Sequence, residues 1–204
     1  MSNVKLMEQL CQWMESEICN KLQFLVPDDD ANDEEYHVSL AHPAVWPYFV
    51  PTPEMNLTAQ EVPSACIQFI ETEESFEGVS QGTKTIQIRI VLTVWNPGNH
   101  IVFDPHEDLT QLGNVAYTPK TDGYVRNLDG WKDLVNFQDT ILRKLKAEEF
   151  VEGMRVDMAS IKYGMFRDEQ DSIYVLYPYW TGYIDFIATM GATRLVPEKY
   201  KDIL

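Results

Sequence analysis

The groups most able to do chemistry in this chain of 204 residues are four histidines and 32 carboxylates. His100, Asp104 and His106 fall close together in NHIVFDPHED, and two imidazoles with a carboxylate form a donor set that a divalent ion accepts. On that reading the chain is a small metal-assisted hydrolase. The pattern supplies no further ligand and no evident general base, and loop histidines beside prolines usually cap or meet solvent. HEDLT at 106–110 opens like the helical HExxH zinc pair, but Thr110 stands where the second imidazole belongs, so the match fails.

In DDDAND the oxygens of Asp28, Asp30 and Asn32 occupy the first three odd positions of a calcium loop. Asp33 replaces the glycine at position six and Ser39 the glutamate at position twelve, which removes both the sharp turn and the bidentate ligand. Asp28, Asp29 and Asp30 are therefore expected in a solvated or partner-facing acidic loop. No GxxxxGK[ST], GxGxxG or GxSxG occurs, so neither a phosphate-cradling loop nor a nucleophile elbow is encoded. With carboxylates this abundant, no single Asp/Glu pair marks a catalytic dyad. The expectation is a protein that is not an enzyme and takes no cofactor or metal.

A formal charge of −16 opposes unaided binding to nucleic acid, where Lys and Arg must neutralise phosphates, and also disfavours an anionic membrane surface. The opening MSNVKLMEQL lacks the basic region and apolar run of a signal peptide, and no segment is apolar for long enough to span a bilayer. The chain is expected to be made in the cytosol and to stay there. Cys11, Cys19 and Cys66 match neither CxxC nor zinc spacing and read as buried, reduced thiols.

The elements that must position these groups follow from periodicity. Met7, Leu10, Cys11, Met14, Ile18, Leu22 and Leu25 recur at three-four spacing, which predicts an amphipathic helix over 4–25 closed by Pro27. The proline-rich stretch 27–62 is expected to be an irregular insertion whose Trp46, Tyr48 and Phe49 pack on something. ACIQFIET and KTIQIRIVLTVW alternate cleanly and predict an antiparallel hairpin, with Ile86, Ile88, Ile90, Leu92 and Val94 on one face. Its tip carries Glu71, Glu73, Glu74, Phe76 and Glu77.

A second irregular insertion is expected over 99–128. Asp129 then reads as the N-cap of a helix with Trp131, Leu134, Gln138, Ile141, Leu142 and Leu145 on one stripe, closing near Gly153. ASIKYGMFRD and YPYWTGYIDFIATMG predict two more strands. In the last, Trp180, Gly182, Ile184, Phe186 and Ala188 share an apolar face, while Thr181, Tyr183, Asp185 and Ile187 share the other. The expected fold is one α+β domain: an antiparallel or mixed sheet of about four strands, two flanking helices, two long irregular insertions and a tail over 192–204.

The order of VKLMEQLCQWMESEICNKL, PSACIQFIE, TIQIRIVLTVW, WKDLVNFQDTILRKL and PYWTGYIDFIA resembles the tail terminator (tail completion) family of tailed bacteriophages and phage-like contractile particles, including their collar and neck proteins. The resemblance covers a little over half of the chain and rests on element order. It implies a homo-oligomeric ring, commonly a hexamer, that caps the tail tube and ends polymerisation. It also implies contacts with tube protein, and with sheath and neck or head-completion proteins, in the host cytoplasm and then in the particle. The acidic tip and Tyr183, Asp185 and Ile187 would then face partners, together with Asp28 to Asp30.

Overall fold

In a computed structural model, the described residues are 2–27, 39–52, 55, 61–77, 81–96, 130–167, 171–173 and 176–193. They form an α+β domain with a six-stranded sheet and a separate pair of short strands. Helix α1 spans Asn3–Glu17, opened by Ser2, whose side chain accepts from the Lys5 amide. It ends well before Leu25. A 3-10 turn at Cys19–Lys21 and a short strand β1 (Phe24–Leu25) take over, placing Phe24 against Phe137 with ring centroids 5.1 Å apart. The apolar spacing is helical throughout, and burial of the Phe24 ring decides the break.

Strand β1 pairs with β2 (Leu40–Ala41), and β3 (Ala44–Pro47) runs parallel to the start of β4 (Ser64–Glu77). The stretch expected to be irregular thus supplies two strands. Of its prolines, Pro47 closes an edge strand, where a missing donor is tolerated. Trp46 lies opposite Cys66 and is half-buried, while Tyr48 and Phe49 are exposed.

The sheet order is β3-β4-β5-β8-β7-β6, with β5 over Gln81–Trp95, β6 over Phe150–Val151, β7 over Met154–Met165 and β8 over Tyr179–Thr193. Four strands are long, as the alternation predicts, and two short ones flank them. The hairpin differs from expectation in one respect: its acidic tip is itself regular strand, with the β4–β5 ladder continuing to Glu77 opposite Gln81. β8 likewise extends to Thr193, into the expected tail, and 194–204 lie outside the described residues.

Helix α2 spans Trp131–Ala147 with Gly130 at its N-cap and no side-chain cap bond; Asp129 lies outside the described residues. Leu134, Phe137, Gln138, Ile141, Leu142 and Leu145 are buried, whereas Trp131 is 41 % exposed. Gly153 does not close this helix. With φ +81 it makes the β6–β7 turn together with Glu152 at φ 50, and that two-residue connection needs positive φ at both positions.

Both helices cover the same sheet face. Leu6, Leu10 and Met14 of α1 and Leu134, Phe137 and Ile141 of α2 join Ile86, Ile88, Ile90, Leu92, Ile184 and Phe186 in one core. Each fully buried aliphatic side chain of this kind contributes roughly 1.5–3 kcal/mol. The aromatic run of β8 is therefore interior sheet on the side of Trp180, Ile184, Phe186 and Ala188. Gln138, also buried, donates through its amide nitrogen to the Gly164 and Tyr183 carbonyls at 2.9 and 3.2 Å, fastening α2 to β7 and β8. A Cβ on Gly182 would come within 2.7 Å of the Gly164 oxygen and 2.8 Å of that amide nitrogen, so glycine permits the close approach.

A charged cluster ties the helix ends together. Lys144 meets Glu17 at 2.9 Å and Glu148 at 2.6 Å, Lys21 meets Glu17 at 3.0 Å, and the Trp13 indole donates to Glu148 at 3.1 Å. Hydrogen bonds from Lys144 hold both carboxyls below their ordinary range. Burial pushes the thiols of Cys11 and Cys66 up to about 11 and that of Cys19 to about 12, and all three are free. Thiols so raised remain protonated and are poor nucleophiles.

Candidate functional site

The second face of the sheet carries the unusual chemistry. Strand alternation places Val91, Arg89, Gln87 and Thr85 of β5 there, beside Tyr183, Asp185, Ile187 and Thr189 of β8. Among the described residues no helix covers this face, and its side chains are half-buried. At its centre Arg89 and Asp185 lie directly opposite each other. They form a two-pronged pair, with Nε donating to Oδ1 and an Nη to Oδ2, both at 2.8 Å. Donating to the Asp185 carboxylate raises the pKa of Arg89, which also sits 5.4 Å from the centre of the Tyr183 ring. Tyr183 leans on Phe166 with centroids 5.3 Å apart.

The expected face residues are thus together, but their roles differ. Both Asp185 oxygens are taken by Arg89, so it acts as a clamp between neighbouring strands. Ile187 lies opposite Gln87 on one side and Asp157 on the other, and its amide donates to Ser160 Oγ at 2.8 Å. That contact closes a wide bulge between Asp157 and Lys162, with Ser160 also donating to the Asp157 carbonyl at 2.6 Å. Glu71 lies opposite Gln87, so a single row crosses the sheet from Glu71 through Gln87 and Ile187 to Asp157.

Outward from the bulge at Ile70, β4, β5 and the end of β8 continue as an arm, flanked by β7 as far as Arg155 opposite Thr189 and three-stranded from Lys84 on. Glu71 and Glu73 are on the uncovered face, opposite Gln87 and Thr85. Glu74 and Phe76 are on the other, opposite Lys84 and Gly82. The alternation that buries Ile86 to Val94 therefore carries on to Lys84, which is only 6 % exposed and meets Glu74 at 3.2 Å. A lysine continuing the isoleucine series was the sequence signal for this pair. Ile70 at 48 % and Phe76 at 36 % exposed are apolar points on an otherwise acidic arm. For Glu77 the structure gives the strand position only.

Asp28, Asp29, Asp30, His100, Asp104 and His106 lie outside the described residues. Among those described, no three His, Cys, Asp or Glu side chains are grouped to hold a metal ion, and no helix is long and apolar enough to cross a membrane. The sequence matches no protein-family model and no curated protein.

Proposed function

We propose that this protein is a non-enzymatic assembly subunit of the tail-terminator kind. Copies form a closed ring, a hexamer in the family it resembles, that seats on the end of a phage or phage-like tail tube and halts its growth. Its partners are itself and the tube protein, with sheath and neck or head-completion proteins on the other side. It would act first in the bacterial cytoplasm and then within the particle.

The observation that carries this reading is the division of one sheet into a helix-covered body and an acidic arm bearing exposed Ile70 and Phe76. A projecting edge with unpaired backbone groups invites addition of another chain, and a contact that closes on itself uses up such edges. Negative charge fits a channel wall that must not retain DNA. The test is native mass spectrometry and negative-stain imaging of the purified protein, alone and mixed with tube protein. Rings that decorate tube ends and cap their length are expected; a strict monomer that leaves tube growth unchanged removes the proposal.

A further inference from the structure

We infer that the acidic arm of one copy docks along the β7 edge and the adjoining α2 groove of the next copy, making the ring contact head to tail. The inference rests on the ring reading and names the contact that would build it. Two open edges are its starting point. β3 covers only Ser64–Ile67 of β4, leaving the arm portion of β4 without a neighbour on that side among the described residues. At the opposite end of the sheet β6 reaches only Met154 and Arg155 of β7, so residues 158–165 present a second such edge.

The two edges carry opposite charge. Glu71 and Glu73 on the arm have no cationic partner among the described residues. Beside the β7 edge, a groove lined by Leu22, Leu142, Arg143, Lys146 and Tyr163 runs between α2 and β7, with Asp139 as its carboxylate. Lys146 and, on the other face of β7, Lys162 pair with no carboxylate among the described residues. Among the described residues Arg143 donates to neutral oxygens, the Asp139 carbonyl at 3.4 Å and Thr140 Oγ1 at 3.2 Å. Tyr163 is 54 % exposed, an aromatic wall beside these cations.

A strand laid on the β7 edge has side chains on both faces, as the arm does. Glu71 and Glu73 on one face and Phe76 on the other match Lys162 on one side of β7 and the apolar and basic groove on the other. The arm cannot fold back to do this within its own chain. Tyr163 lies opposite Ile184 and Gly82 opposite Ala192, eight residues apart on β8, roughly 26 Å at strand rise. The arm is also paired with β5 along its whole length from Glu71 to Glu77. Donor and acceptor surfaces therefore belong to different copies, and passed head to tail from copy to copy such a contact closes into a ring.

The test is charge exchange in the full chain, read by native mass spectrometry and sedimentation, with folding checked by thermal melting. One variant carries Glu71→Lys and Glu73→Lys, the other Lys162→Glu, the cation on the matching face of β7. Each alone is expected to melt within a few degrees of wild type and to lose the oligomer, with at least a tenfold rise in dissociation constant. An equimolar mixture should reassemble, because each altered arm then meets an altered β7 edge. If either variant melts early, the Gln versions at the same positions replace it, with the same loss expected. A wild-type ring indifferent to both variants, or two folded variants that never reassemble together, overturns the contact and leaves the ring itself standing. A wild-type chain that is monomeric at every concentration removes the ring reading as well.

Discussion

One strand, β5, runs through two regions of opposite character. Over Ile86 to Val94 its inward side chains are fully buried beneath two helices, and its outward ones are fastened by the Arg89–Asp185 pair. Over Gln81 to Thr85 the same alternation meets Phe76 through Gly82 and Glu74 through Lys84. The β5–β8 ladder is unbroken and the β4–β5 ladder resumes after a single register shift between Phe69 and Glu71, so hydrogen bonding does not distinguish the two. Helix coverage does. The body is held by apolar burial that no single polar change leaves intact, whereas the arm is held by its ladder and by cross-strand pairs worth roughly 0.2–1 kcal/mol each. A sheet built this way can present a rigid strand to a partner without risking its own fold.

The contrast can be broken most severely at Ile90, 0 % exposed in the middle of the core. Ile90→Asp buries an unpaired charge and should abolish folding. A soluble product that melts cooperatively would reverse the assignment of the two faces. A smaller loss is expected for Gly182→Ala, which drives a methyl into the Gly164 carbonyl and the Gln138 amide; about 1–3 kcal/mol by urea unfolding, the usual cost of overpacking. Equal stability would mean that α2 can lift from the sheet at no cost.

In the arm, Glu74→Gln removes the charge that faces buried Lys84 and should cost about 1 kcal/mol, since Glu74 itself is 45 % exposed. Glu73→Lys, one residue away on the uncovered face, should change stability by under about 0.5 kcal/mol. Equal losses at the two positions would erase the distinction between the arm's faces. The smallest effect is expected at the helix ends. Lys144 holds Glu17 and Glu148 below the ordinary carboxylate value of 4.5, so the folded state binds fewer protons there than the unfolded chain. The stability they gain is present above that value and is lost as pH falls through the lowered ones. Lys144→Met should therefore lower Tm slightly at pH 6, with the difference from wild type shrinking below pH 4.5. A difference that grows on acidification would show that the cluster does not act through these carboxyls.

Much of the body was readable in advance because period-two alternation in β5 and β8 and the three-four spacing of α2 are local records of which face is buried. What misled was equally local. The helical spacing from Met14 to Leu25 gave no sign that Phe24 would leave the helix to meet Phe137, more than a hundred residues on. Pro27 and Gly153 looked like helix stops, yet α1 had already ended at Glu17, and Gly153 serves a hairpin whose positive φ only glycine adopts easily. The acidic tip read as loop because charge and Gly78 dominate it, although pairing with β5 makes it strand. Of the candidate surface, Tyr183, Asp185 and Ile187 were placed on one face correctly. The groove of Arg143, Lys146 and Tyr163 left no trace, because its two walls are distant in sequence.

By itself the sequence determined the class of fold and the buried sides of its main strands, since each is fixed by side-chain identity at a short, regular spacing, and the net negative charge, which is composition alone. Tertiary structure decided the rest. It determined which carboxylates are spoken for, as Asp185 and Glu74 are, and which, like Glu71 and Glu73, meet no cation among the described residues. Partnership across strands depends on register, and register is set by the packing of the whole sheet against its helices rather than by any residue's neighbours along the chain.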